Sequence, residues 1–287
     1  MLISEEFTQM SQKITFADMH THTRCSPDSK CLLDDMCLAQ AQAGTQVFAC
    51  TDHFDCELMD YWDYKTNFRK SISEIERCRE LFDGKVKLLK GVELAEGYMD
   101  KELCRFVEEY TDYDVIISSI HSFTTKNKIN IHSMIDFTDY SEEEIYEVFD
   151  LYFDDTVKNL ECGFFKPDIL AHLTYPSRYI NGKYQRSENI MRCREKMEYI
   201  LKLIIRKEIA LEINTSNLKT DFKVFMPHDE IVRMYHDLGG KLITLGSDAH
   251  APEHASIGFK DAAELAKSIG FSELYYYEKR KPVAYAI

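Results

Sequence analysis

The 287-residue chain is predicted to be an α/β protein, a distorted seven-stranded (β/α)7 TIM-like barrel. Three observations predict it. Short apolar runs alternate with longer, charged amphipathic segments, which reads as buried parallel strands joined by crossover helices. Seven of these runs end in residues suited to metal binding, as expected if the strand ends gather on one face. The length suits one barrel-sized domain, and no Pro/Gly/Ser-rich linker or internal repeat marks a second.

In chain order, residues 1–13 read as an N-terminal extension, and the first run is Phe16-Ala17-Asp18-Met19-His20-Thr21-His22. The next ends at Thr51-Asp52-His53 and leads into a helix over 67–82, with Phe68, Ile72, Ile75 and Leu81 roughly on one face. Gly91-Val92-Glu93 precedes a helix over 99–110, and Ser118-Ser119-Ile120-His121 follows it. Ser141-Glu142-Glu143-Glu144 has the form of a capping box and opens a helix carrying Ile145, Val148, Phe149, Tyr152 and Phe153. Ile169-Leu170-Ala171-His172, Glu212-Ile213-Asn214 and Gly246-Ser247-Asp248-Ala249-His250 end the remaining runs, with helices expected over 187–207, 228–238 and 260–268. The tail, 271–287, has two β-prone stretches around a charged turn and reads as a closing hairpin.

Charge and composition narrow the function. With 35 basic and 49 acidic residues the formal charge is −14, and the densest basic stretch is only Glu278-Lys279-Arg280-Lys281, so no nucleic-acid partner is expected. No stretch approaches the roughly 18 apolar residues of a membrane span, and 1–13 lacks a signal-like apolar core. The nine cysteines contain no C-x-x-C and read as reduced, fairly apolar thiols. A cytoplasmic monomer or small homo-oligomer acting on a small metabolite is the expectation.

The chemistry lies in the run ends. Six of the ten histidines, His20, His22, His53, His121, His172 and His250, stand there, whereas His132, His228, His236 and His254 do not. Imidazole nitrogens and carboxylate oxygens suit zinc, iron or manganese, and the donor types do not choose among the three. Asp18 and Asp52 are expected to orient histidines or cap turns rather than bind metal. Trp62, with Tyr61 and Tyr64, either lines a pocket or packs a loop. The Asp34-Asp35 and Asp154-Asp155 pairs read as solvated faces.

These motifs resemble those of the PHP phosphoesterases: Asp18-Met19-His20-Thr21-His22, Thr51-Asp52-His53, Gly91-Val92-Glu93, Ile120-His121-Ser122, Ala171-His172 and Ser247-Asp248-Ala249-His250 follow in the expected order over nearly the whole chain. The stretches His22 to Ser29, Glu212 to Ser216 and Gly246 to Pro252 look most like the histidinol-phosphate phosphatase branch. The resemblance implies three divalent transition-metal ions (Zn, Fe or Mn). His20, His22, Glu93 and Asp248 would hold the first; Glu93 would bridge to a second held by His121 and His172; Asp28, His53 and His250 would hold the third. Many relatives have histidine where Asp28 stands.

The implied reaction is hydrolysis of L-histidinol phosphate, a small phosphorylated metabolite, in histidine biosynthesis. Another small monoester, such as a nucleotide or sugar phosphate, is the alternative. A catalytically silent metal-binding domain of a nucleic-acid machine is the rival from another class, and the charge argues against it. Asp248, Asp28, His53 and His250 are the candidates for handling the leaving oxygen's proton. Arg178 offers a planar fork for phosphate. The family usually shows glycine, a hydrophobic residue and arginine where Asn217, Leu218 and Lys219 stand. Lys219 keeps the charge without the fork, and asparagine tolerates the left-handed turn a glycine would make.

Overall fold

A computed structural model describes residues 14–125 and 128–287; the extension read at 1–13 lies outside the described residues. Strands β1 (Ala17–Asp18), β2 (Val47–Cys50), β3 (His53–Asp55), β4 (Lys87–Ala95) and β5 (Val115–Ser119) come first. A small hairpin of β6 (Ser122–Thr125) and β7 (Lys128–Ile131) follows, then β8 (Ile169–Leu170), β9 (Ala210–Asn214), β10 (Ile243–Gly246), β11 (Glu273–Glu278) and β12 (Lys281–Ala286). Seven parallel staves close a barrel in the order β2-β1-β10-β9-β8-β5-β4, with β4 returning to β2. Thr51-Asp52 interrupts the second stave without shifting its register: Val47 opposes Lys87, and beyond the break His53 opposes Glu93. That register carries His53 to the level of the buried glutamate.

Helices α1 (Leu33–Gln42), α2 (Tyr64–Leu81) and α3 (Lys101–Tyr110) cover one side, packing Met36, Phe68, Ile75 and Val107 against the staves. The others, α4 (Glu142–Glu161), α5 (Arg194–Lys207), α6 (Asp229–Asp237) and α7 (Phe259–Ile269), cover the rest of the ring and pack on a second apolar cluster. The capping box at α4 is present in both directions: Ser141 Oγ accepts from Glu144 N at 3.2 Å, and Ser141 N donates to Glu144 Oε2 at 2.8 Å.

Several sequence expectations need correction. Helix α2 begins at Tyr64 rather than residue 67, because the Asp63 carboxylate accepts from Thr66 N and caps it. Helix α5 begins at Arg194, not 187; Asn189 instead caps a 3-10 turn over Ile190–Cys193. Helix α1 has a weak amphipathic pattern and the β6–β7 hairpin is short, so neither declares itself in the sequence. Asp155 is not solvated. It is buried, accepts from Thr124 N and pairs with Lys158. Eight of the nine cysteines are buried, and all are free.

Candidate metal and phosphate site

At the carboxyl end of the barrel, five of the six run-end histidines surround Glu93, and the sixth, His250, stacks on His22. His22 lies between His53 and His250, with ring centroids 4.2 and 4.1 Å away. His20 sits 5.0 Å from His22 and 5.6 Å from His172; His121 sits 5.0 Å from His53 and 5.3 Å from His172. Glu93 Oε2 faces His53 Nδ1 at 2.8 Å, His20 Nε2 at 3.3 Å and His22 Nε2 at 3.5 Å. Its Oε1 faces His172 Nε2 at 3.0 Å and His121 Nε2 at 3.3 Å. One carboxylate thus touches five imidazoles.

Asp248 joins the cluster through Oδ1, which is 3.4 Å from both His22 Nε2 and His250 Nδ1. Asp28 reaches in from an exposed loop, 3.6 Å from His53 Nε2 and 3.1 Å from His250 Nε2. The donor sets overlap more than the sharing of Glu93 alone that the resemblance implies. Sets within 4.8 Å of one another are His20–Glu93–His172, His20–His22–Asp248, His22–His53–His250 and His53–Asp55–His121, so His20, His22 and His53 each serve twice. Asp55, which sequence reasoning missed, faces His121 Nδ1 at 3.4 Å and His53 Nδ1 at 3.5 Å. Its place two residues after His53 on the same stave was the available signal, since alternate residues share a face.

The residues fit metal. His20 Nε2, His22 Nε2, His53 Nδ1, Glu93 Oε2 and His250 Nε2 are buried metal-donor atoms that crowd against other donors without a properly directed hydrogen bond. Orphaned polar atoms at this density are costly unless something else satisfies them. The groups that orient them are present. His20 Nδ1 is 2.7 Å from Glu212 Oε1, and Glu212 Oε2 accepts from His172 N at 2.7 Å. Asp52 touches no imidazole directly and acts on His22 through Ser26, in keeping with the orienting role expected of it. It accepts from Ser26 Oγ at 2.8 Å, and that hydroxyl lies 3.1 Å from His22 Nδ1. Asp18 likewise acts on backbone, accepting from Ser247 N at 2.9 Å and His20 N at 3.3 Å.

The electrostatics follow this crowding. Burial alone would raise the Glu93 carboxyl, but the facing histidines hold it well below the usual carboxylate range. Burial likewise pulls His121 down, yet Glu93 and Asp55 win and push it up to about 10. His20 is raised well above an ordinary imidazole by Glu212 and Glu93, and His53 by Glu93, Asp55 and Asp28, in each case against burial. Burial, together with His250 and His53, takes His22 down to about 3. His172 (φ 25°), Thr174 (φ 95°) and Asp248 (φ 50°) hold left-handed backbone, a cost that clusters at sites where geometry is functional.

Arg178 donates from Nη2 to Asp248 Oδ2 at 2.9 Å and to Ser216 Oγ, and from Nε to Asn217 Oδ1 at 3.2 Å. Asn217 does not use the left-handed turn that asparagine would tolerate there. It lies in a 3-10 turn and aims its side chain at the guanidinium instead. Lys219 stands at the exposed rim, where Asp248, Arg178 and Asp28 all act on its charge. His132 is fully buried behind His121, packed on Phe123 and Tyr152. On the other flank a cleft of about 290 Å³ opens, bordered by Asp28, His53, Asp55, Tyr61, Trp62 and His121. Trp62, Tyr61 and Tyr64 therefore all line this cleft, and the buried Tyr64 also donates to Asp55 Oδ2 at 2.8 Å.

A closed barrel ringed by helices, with imidazoles and carboxylates converging at its carboxyl end, defines a metal-dependent hydrolase class. Residues 18–216 match the PHP domain, and the chain belongs to the PHP family. It is similar to the probable histidinol-phosphatase of Clostridium acetobutylicum, 30% identical over 92% of this chain and 97% of that protein. The histidinol-phosphatase of Lactococcus lactis is 29% identical over 92% of this chain and 95% of its own. The crystal structure of histidinol phosphate phosphatase from Lactococcus lactis, complexed with zinc, L-histidinol and phosphate, superposes with a TM-score of 0.77. That match is 27% identical and covers 93% of this chain and 98% of the other.

Proposed function

We propose that this chain is a metal-dependent phosphomonoesterase that hydrolyses L-histidinol phosphate to L-histidinol and phosphate in histidine biosynthesis. The observation that carries the reading is the full-length likeness to histidinol-phosphatases, 30% identical over 92% of this chain. The reading includes three divalent ions, of zinc, iron or manganese, held by His20, His22, Asp28, His53, Glu93, His121, His172, Asp248 and His250. The overlapping donor sets and their orphaned atoms support several ions in one cluster. Bound divalent ions neutralise phosphoryl oxygens and acidify water, chemistry that a slow phosphomonoester needs.

The chain's own residues supply the rest. Arg178 and Lys219 form a cationic edge for the phosphate oxygens, and Asp248 holds the Arg178 fork in place until phosphate arrives. Ser216 and Asn217 pin the same planar guanidinium, which keeps it aimed. Asp28, His53, His250 and Asp248 are the groups proposed to hold or deliver the leaving oxygen's proton. Asp28 and His53 border the cleft, whereas Asp248 is engaged by Arg178.

A cytoplasmic monomer or small homo-oligomer without nucleic-acid partners completes the proposal; no helix among the described residues is long and apolar enough to cross a membrane. Turnover of a panel of phosphate monoesters by the metal-loaded protein tests the reading. Histidinol phosphate should exceed p-nitrophenyl phosphate and common nucleotides in kcat/KM by at least about 100-fold. Equal turnover of a nucleotide or sugar phosphate would move the assignment to that monoester and leave the metal chemistry standing.

A further inference from the structure

Between the proposed metal ligands and the proposed phosphate arginine stands one aromatic ring, that of Tyr175, only 8% exposed. Its centroid lies 5.2 Å from that of His121 and 4.9 Å from that of His172. Arg178 Cζ stands over the same ring, 5.1 Å from its centre. The ring is itself held. Its hydroxyl is 2.8 Å from the hydroxyl of Tyr179, and the Tyr179 ring meets it edge-on at 5.4 Å.

The backbone on either side of Tyr175 is unusual. Thr174 has φ 95°, where a β-branched residue is a genuine outlier. Three residues beyond Tyr175 the chain enters a π-helical turn, Arg178–Lys183, a rare form that is frequent at functional sites. One short segment, His172 to Tyr179, thus carries a proposed ligand, the ring, the arginine and the tyrosine that braces the ring. Backbone cost of this kind persists only where surrounding contacts over-determine it.

Arg178 needs that brace. Its hydrogen bonds run to Asp248, Ser216 and Asn217. Of these partners only Asp248 is charged, and Asp248 is also a proposed metal ligand, so bound ions compete for its charge. An aromatic face attracts a cation through its quadrupole, more strongly where water is excluded, and metal cannot draw that attraction away.

We propose that Tyr175 is a positioning residue of the phosphate site: its ring is the shelf that holds the Arg178 guanidinium in place relative to His121 and His172, and Tyr179 holds the ring. It acts through Arg178 and leaves the phosphoryl group to the arginine and the ions. The inference rests on the phosphatase reading and deepens it, because it says what keeps the phosphate cation at a fixed place beside the ligand cluster. It concerns phosphate alone and is the same for any phosphomonoester.

Calorimetric binding of inorganic phosphate to the zinc-loaded protein tests it, with KM and kcat for histidinol phosphate measured alongside. Tyr175→Leu keeps apolar bulk against the two imidazoles and removes the aromatic face. Zinc content should hold while phosphate affinity falls about fivefold. KM should rise by more than kcat falls, the mark of lost uniform binding. Tyr175→Phe retains the face and should recover most of the loss. A loss caused by disturbed packing alone would persist without the arginine, so the decisive comparison is made in Arg178→Ala. There Tyr175→Leu should lower phosphate affinity by less than about twofold further. An equal loss in both backgrounds would overturn the role, as would wild-type phosphate affinity in a zinc-replete Tyr175→Leu protein. Tyr175→Met, equally without an aromatic face, must repeat the result and carries the test if the leucine variant does not fold. A protein that binds phosphate in this pattern yet leaves histidinol phosphate intact loses the substrate assignment and keeps the role of Tyr175.

Discussion

Glu212 shows how a residue that meets no substrate can control the site. Its two oxygens hold the His20 ring at 2.7 Å and the His172 backbone at 2.7 Å, so it sets the direction of two proposed ligands. Glu212→Gln should lower zinc affinity roughly 10–100-fold, the range typical when an orienting partner of a ligand is lost. Competition with a chromophoric chelator measures this, and unchanged affinity would reject the role. Arg178→Ala should lower kcat/KM at least about tenfold, about 1.4 kcal/mol, and Arg178→Lys should recover little because lysine lacks the fork. A loss within about twofold would mean that the Asp248 pair is structural only. Protonation belongs to this scale as well. A metal ligand must be a neutral imidazole. Glu212 with Glu93 pulls His20, and Glu93 with Asp55 pulls His53, well above 6.5, and Glu93 with Asp55 pushes His121 up to about 10, so these three carry protons near neutrality once metal is stripped. Burial lowers His22 and His172, so they carry none. Zinc binding near pH 7 should therefore release protons, and apparent affinity should climb as pH rises toward 10. Calorimetry in buffers of different ionisation enthalpy reads the release; zero protons released would contradict the arrangement.

Among the elements, β10 is the one whose sequence is most constrained by the site. A Cβ on Gly246 would fall 1.9 Å from Glu212 Oε1 and 2.8 Å from His20 Cβ, far inside contact distance. Gly246→Ala must displace the carboxylate that aims His20, so zinc content should drop even if the barrel survives. Full zinc occupancy in a folded Gly246→Ala protein would show that the approach can relax. Helix α4 offers a control distant from the chemistry. Its reciprocal Ser141–Glu144 cap satisfies two backbone donors, and Ser141→Ala should cost about 0.5–2 kcal/mol of stability while leaving zinc content intact. Denaturant unfolding at fixed zinc checks both halves of that statement.

At the scale of the molecule, the barrel gathers residues spread from His20 to His250 into one cluster of mutually facing donors. Removing metal leaves buried imidazoles and carboxylates to neutralise one another, so the fold and the ions are thermodynamically linked. Protein stripped by chelator should melt several degrees lower, and zinc at about 100 times its dissociation constant should restore about 2.7 kcal/mol. Scanning calorimetry with and without zinc tests it; a melting temperature indifferent to zinc would place the ions outside the folded state's energetics.

Periodicity, the residues at the run ends and the chain length together were enough for the closed barrel, because strand ends and helix faces leave local marks: the apolar runs before His53, His121 and His172, and the cap at Ser141. Donor chemistry by itself picked out the histidines that converge. What only the tertiary structure decided concerns contacts between distant segments. That Asp55 faces His53 and His121 depends on the unbroken register across Thr51-Asp52. That Glu212 aims His20, Asp52 acts on His22 through Ser26, and Asn217 holds Arg178 depends on which staves are neighbours. Likewise the cleft wall unites Tyr61 and Met134 across more than seventy residues of chain. Local sequence encodes which groups are present and which element carries them. Their distances and partners arise from barrel closure, a property of all the staves at once.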